Sequence, residues 1–204
     1  MKKPLAILIV LMMLLPVSGL AVDADSYATV SITEVPETVV REKANTLVIW
    51  FSTNDTVKAV ALTAADAMEA DSFEIVPEQP YTEADLAYYT DGRCDREQAD
   101  SSARPAIVSL PENLEQYDVI FIGYPIWHGQ APKILYTMLE SIDLSGKTIV
   151  PFCTSMSSGA GSSASNLEKL TAGAAWLKVK RIDNGSTAEQ IQTWALSAMT
   201  EATK

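Results

Sequence analysis

Short apolar runs that alternate with helical patterns predict an α/β chain built on a parallel sheet with helices on both faces. Three observations carry this reading. Residues 119–122, Val-Ile-Phe-Ile, form an uninterrupted apolar run with β-branched and aromatic members, which a strand buried on both faces requires. An irregular piece with Pro125, Trp127, His128 and Gly129 follows, and after Pro132 the residues Ile134, Leu135, Met138 and Leu139 recur at helical spacing. The same order of strand, loop and helix appears around residues 46–51 and again around 148–152.

In chain order, 46–51 is the first strand, and Val57, Val60, Ala61, Ala64 and Ala65 give the apolar side of a helix ending near Ala70. Residues 72–76 form a second strand, which Glu74 marks as an edge. Residues 77–105 make a long polar excursion with helical pieces at 83–88 and 95–99, and an excursion of this length commonly serves as a lid or binding loop. The third strand, 118–122, is expected to end at Gly123, and its helix stops before Asp143. Residues 148–152 are the fourth strand, and a loop of small residues leads into a helix at 163–170. Residues 175–182 read as a fifth strand. A closing helix spans 187–202, with Ser186 as N-cap, Glu189 as capping-box partner and Ile191, Trp194, Ala195 and Ala198 facing in.

With 204 residues, 48% of them apolar, the chain can bury one good core. Residues 1–21 read as a signal peptide: Lys2 and Lys3, an apolar stretch over 5–15, then Pro16, Ser18, Gly19 and Ala21. Cleavage would place the protein in the periplasm or outside the cell, and an uncleaved N-terminal membrane anchor is the alternative. Residues 22–45 read as a linker or N-terminal arm and 46–204 as the domain. The net charge of −11 becomes −13 once Lys2 and Lys3 leave, which argues against nucleic acid and suits a basic partner protein. Cys94 and Cys153 both fall in predicted loops; an oxidising compartment would allow a Cys94–Cys153 disulfide, and small buried thiols are the other reading.

Ser52, Thr53, Asn54, Asp55 and Thr56 bring hydroxyl and amide groups to a helix start, as a cradle for a dianionic phosphate or as ordinary N-capping. Trp127 offers an indole face to a planar ring, or packs inside the protein. A parallel sheet brings the loops after strands one, three and four to a single edge. A phosphate cradle, an aromatic platform and a small-residue loop together suit a nucleotide cofactor with a planar ring. His128 is the only histidine, so it has no partners for a zinc site, and no G-x-S-x-G elbow supports a hydrolase. It remains a hydrogen-bond donor beside a ring or a plain loop residue.

At these residues the chain resembles the flavodoxin-like superfamily, and most of all its short bacterial flavodoxin-like domains. The matching pieces are 48–56, 73–82, 102–107, 139–152, 159–163 and, the most specific, Tyr-Pro-Ile-Trp-His-Gly-Gln-Ala-Pro at 124–132. The resemblance implies a three-layer sandwich with a five-stranded parallel sheet of order 2-1-3-4-5, and FMN as cofactor. It places the phosphate at Ser52, Thr53, Asn54, Asp55 and Thr56. Pro125, Ile126, Trp127, His128 and Gly129 would face one side of the flavin, with Thr154, Ser155, Ser157 and Gly159 on the other. The implied activity is electron transfer, or that of a small flavin-dependent oxidoreductase with no side chain assigned as acid or base. A nicotinamide-dependent quinone or azo reductase is a further reading. The superfamily loop Ser-x-Thr-Gly-Asn-Thr is here one residue shorter, lacks the Gly and has Asp55 in place of Asn. The alternative is therefore a flavodoxin fold that no longer binds FMN and serves as an extracytoplasmic binding module.

Overall fold

The computed structural model describes residues 45–204, so the expected signal peptide and nearly all of the arm lie outside the described residues. Six parallel strands form the sheet: β1 (Thr46–Trp50), β2 (Asp71–Glu74), β3 (Val119–Pro125), β4 (Thr148–Thr154), β5 (Ala175–Trp176) and β6 (Lys180–Ile182). The order is β2-β1-β3-β4-β5, with β6 also on β4, and β1 pairs with β3 from Thr46 opposite Val119 to Trp50 opposite Gly123. Six α-helices accompany them: α1 (Asp55–Met68), α2 (Glu83–Leu86), α3 (Arg93–Ala99), α4 (Lys133–Glu140), α5 (Ser163–Glu168) and, after the last strand, α6 (Ala188–Ala202). This is the three-layer fold that the sequence predicts.

Strand side chains alternate between two cores because successive residues point to opposite faces. Leu47, Ile49, Ile120, Ile122, Tyr124 and Ile149 meet Ile134, Leu135 and Met138 of α4 on one face. Val48, Trp50, Val119, Phe121, Val150 and Phe152 meet α1 and α6 on the other, where the Trp194 ring lies edge-on, 5.9 Å from Phe121 and 5.4 Å from Phe152. All five apolar positions read for the first helix, Val57, Val60, Ala61, Ala64 and Ala65, are buried.

Three local expectations are corrected. Gly123 lies inside β3 instead of ending it, and the strand continues to Pro125; a Cβ at Gly123 would collide with the Phe152 ring, so the glycine is there for close packing. The single strand expected at 175–182 is two. β4 pairs Ile149 with Trp176 but Phe152 with Lys180, so the edge strand carries one extra residue. The break faces Pro151, which has no N–H to give to a neighbour, and the ladder resumes only beyond it. The cap of α6 is Thr187, not Ser186, and its box partner is Gln190, not Glu189: Thr187 Oγ1 accepts from Gln190 N at 3.2 Å while Gln190 Oε1 accepts from Thr187 N at 2.9 Å.

Candidate functional site

The loops after β1, β3 and β4 meet at the carboxyl edge of the sheet, where parallel α/β folds bind ligands. They enclose a cleft of about 660 Å³, and the excursion between β2 and β3 supplies a fourth wall. The first loop contributes Thr53, Asn54 and Thr56, the third Pro125 to Gly129, and the fourth Thr154, Ser155, Met156, Ser157 and Ser158. The sequence-predicted residues Ser52, Asp55 and Gly159 stay off its lining. Leu86, Tyr88 and Tyr89 from the excursion, Met156 and Ser158 from the fourth loop, and Asn184 beyond β6 line it without having been expected.

At the α1 end, much of the polar side-chain capacity is spent within the loop. Asn54 caps α1, its Oδ1 accepting from Thr56 N at 3.0 Å, and the Ser52 hydroxyl donates to the Asn54 carbonyl. The backbone N–H groups of Thr53, Asn54 and Asp55 donate to no acceptor among the described residues. They are the free donors of a helix start, the group that binds anions. Asp55 sits exposed in the first turn, where a carboxylate favours the helix.

The opposite end is aromatic. Trp127 is not the exposed platform of the sequence reading: it is 5% accessible and packs edge-on against Phe51, 5.5 Å between centroids, and Tyr81, 5.1 Å. The exposed rings come from elsewhere. The His128 ring lies 4.4 Å from Tyr88 and 5.7 Å from Tyr89, and Tyr89 is 89% accessible. Across the cleft, Met156 is 93% accessible, an apolar side chain left out of any core. The fourth loop is held by Ser155, whose Oγ accepts from Ser158 N at 3.1 Å and whose carbonyl accepts from Arg181 at 3.2 Å.

Helix α3 carries two of the residues that dock the excursion onto the β3 loop, alongside Tyr88, whose hydroxyl donates to the Ile126 carbonyl at 3.4 Å. Gln98 Nε2 donates to the carbonyls of Trp127 at 3.0 Å and Ala131 at 3.2 Å, and its Oε1 accepts from Lys133 N at 3.2 Å. One turn earlier, Asp95 Oδ1 meets His128 Nε2 at 2.8 Å. Desolvation raises the Asp95 pKa, but hydrogen bonds from the backbone of Thr90 and Tyr89 and from His128 outweigh it and hold the carboxyl below its ordinary range.

The cysteines do not bridge. Cys94 lies buried among Tyr81, Tyr88 and the acids of α3, whereas Cys153 lies in β4 near Tyr124 and Arg181, and both thiols are free. Burial pushes them up to about 12 and about 11 respectively, so neither is a ready nucleophile near neutral pH.

A family model described as flavodoxin matches residues 45–198. The chain belongs to the flavodoxin family. A candidate flavoprotein from Bacteroides eggerthii is 39% identical, covering 77% of this chain and 98% of its own, with a TM-score of 0.70. A second, from Bacteroides uniformis, is 38% identical over 74% of this chain and 97% of its own, also at 0.70. A flavoprotein from Lactobacillus acidophilus solved with FMN is similar in fold at 18% identity and a TM-score of 0.57, covering 79% of this chain and 99% of its own. No curated protein matches the chain.

Proposed function

We propose that the cleft binds FMN and that the protein acts in electron transfer or as a small flavin-dependent oxidoreductase outside the cytoplasm. The observation that carries the reading is the pairing, in one cleft, of free backbone donors at the start of α1 with exposed rings at the far end. The cleft volume lies within the roughly 300 to 1,000 Å³ usual for ligand sites. Thr53, Asn54 and Thr56 with the adjoining N–H groups would hold the phosphate, and Tyr88, Tyr89, His128 and Met156 would cover the flavin. Ser155, Ser157, Ser158 and Asn184 add polar groups along the cleft.

Bound there, FMN would supply one- or two-electron redox chemistry. The protein's own part is to bind, orient and set the charge. Asp91 and Asp95 stand behind the ring wall and no Lys or Arg lines the cleft among the described residues, so added negative charge on the ring is disfavoured and its reduction potential lowered. The same acidic surface would suit a basic redox partner. Residues 1–21 support the extracytoplasmic assignment, which cell fractionation would test.

A titration of the purified chain with FMN tests the reading: saturable, roughly stoichiometric quenching of flavin fluorescence is expected. Fluorescence that stays unquenched to about millimolar FMN would favour the binding module instead, a reading supported by a phosphate end that has no cationic side chain among the described residues.

A further inference from the structure

The ring wall is made by residues that have no reason of their own to be where they are. Tyr89, Asp91 and His128 all adopt left-handed backbone conformations, with φ of 62°, 58° and 45°. Side chains rarely take this region, and a bulky residue there needs its surroundings to hold it. Asp91 and His128 bond to one carboxylate, and Tyr89 adjoins it through Thr90. Asp95 Oδ2 accepts from the N–H of Thr90 at 2.8 Å and of Asp91 at 3.0 Å, and Oδ1 meets His128 Nε2 at 2.8 Å.

We infer that Asp95 is the positioning residue of the flavin site, its carboxylate fixing the turn that presents Tyr89 and the ring that His128 presents beside it. The inference rests on the FMN reading for its functional meaning. A carboxylate only accepts hydrogen bonds, so the contact also assigns the His128 tautomer: the proton is on Nε2. The other groups around this imidazole are Tyr88 and Tyr89 of the excursion, with Asp91, Arg96 and Asp100 along the adjoining groove. The two tyrosines touch the imidazole through their rings, and the Asp95 carboxylate is its hydrogen-bond partner among the described residues. The docking of α3 does not depend on this pair, because Gln98 makes three separate bonds to the β3 loop.

The test compares untagged wild type with Asp95→Ala and Asp95→Asn. His128 is the only imidazole in the chain, so its nitrogen spectrum is unambiguous. Nitrogen-detected NMR of the cofactor-free protein should show an Nε2–H tautomer in the wild type and a tautomer mixture in Asp95→Ala. Asp95→Asn should move the proton to Nδ1, since its amide can donate to Nε2 while its oxygen still accepts from Thr90 and Asp91. FMN should bind roughly tenfold more weakly to Asp95→Ala with lower quenching, and Asp95→Asn should recover part of the loss. An unchanged imidazole spectrum in Asp95→Ala overturns the inference, as does equal FMN affinity and quenching in the two variants and wild type. If the wild type itself binds no FMN, the proposed function fails, while the spectra of the cofactor-free chains still decide whether Asp95 holds the wall.

Discussion

The two ends of the cleft are built on different principles. The α1 end, where the phosphate is proposed to bind, is local: Ser52, Asn54 and Thr56 bond within a few residues of one another, and the free donors follow from where α1 begins. The ring end is assembled from afar, with Tyr88 and Tyr89 brought to His128 through Asp95 and Gln98, 33 and 29 residues from the groups they bond. A local device keeps its geometry wherever the helix forms, whereas a long-range one lasts only while a distant helix stays docked. The comparison predicts that changes at the ring end separate stability from binding, while changes at the phosphate end move both a little.

The largest effect is expected at Trp127. Trp127→Ala empties a buried site between Phe51 and Tyr81 and should cost about 3–5 kcal/mol of folding stability in urea denaturation. An indole that served only as an exposed platform would leave stability unchanged, and that outcome would erase the distinction between Trp127 and the exposed rings of Tyr88, Tyr89 and His128.

Tyr89→Ala should do the reverse. Its side chain is nearly all in solvent, so stability should stay within about 0.5 kcal/mol. FMN affinity should fall up to about tenfold, the upper range for an aromatic contact. At the phosphate end, Asn54→Ala removes a cap and should cost about 1 kcal/mol by the same denaturation assay. Asp55→Asn should be smaller still, losing about 0.3–1 kcal/mol of helix-start stabilisation at low salt while tightening FMN, because the repelled phosphate gains a neutral neighbour.

The smallest effect is in pH. The Asp95 carboxyl is held below its ordinary range, so its contribution is complete above the unfolded value of about 3.9 and is lost as pH falls through the lower folded one. The stability gap between wild type and Asp95→Ala, followed by denaturation, should therefore shrink steadily from pH 5 toward pH 2. A gap that widened toward acid would mean that the carboxylate is not what holds the wall.

What the sequence made legible follows the same division. Strands, helix faces and the start of α1 are written in neighbouring residues, and 2-1-3-4-5 order came with the family resemblance. The α6 cap missed by one residue because Ser186-x-x-Glu189 and Thr187-x-x-Gln190 both satisfy the same pattern. The burial of Trp127 depends on Phe51 and Tyr81, far away in the chain, and the ring wall depends on left-handed tyrosine and histidine backbones, for which no residue pattern exists. The one usable sign was the excursion at 77–105, whose length suggested a lid or binding loop without saying that Tyr88 and Tyr89 would line the cleft.

The most direct test is where a flavin sits. Amide chemical-shift mapping during FMN titration of the purified chain should perturb Thr53 to Thr56, Tyr88 to Asp91, Ile126 to Gly129 and Thr154 to Ser158 together, at one saturating concentration. Perturbations confined to the groove between β6 and α6, lined by Lys180, Arg181 and Trp194, or none at all, would contradict it.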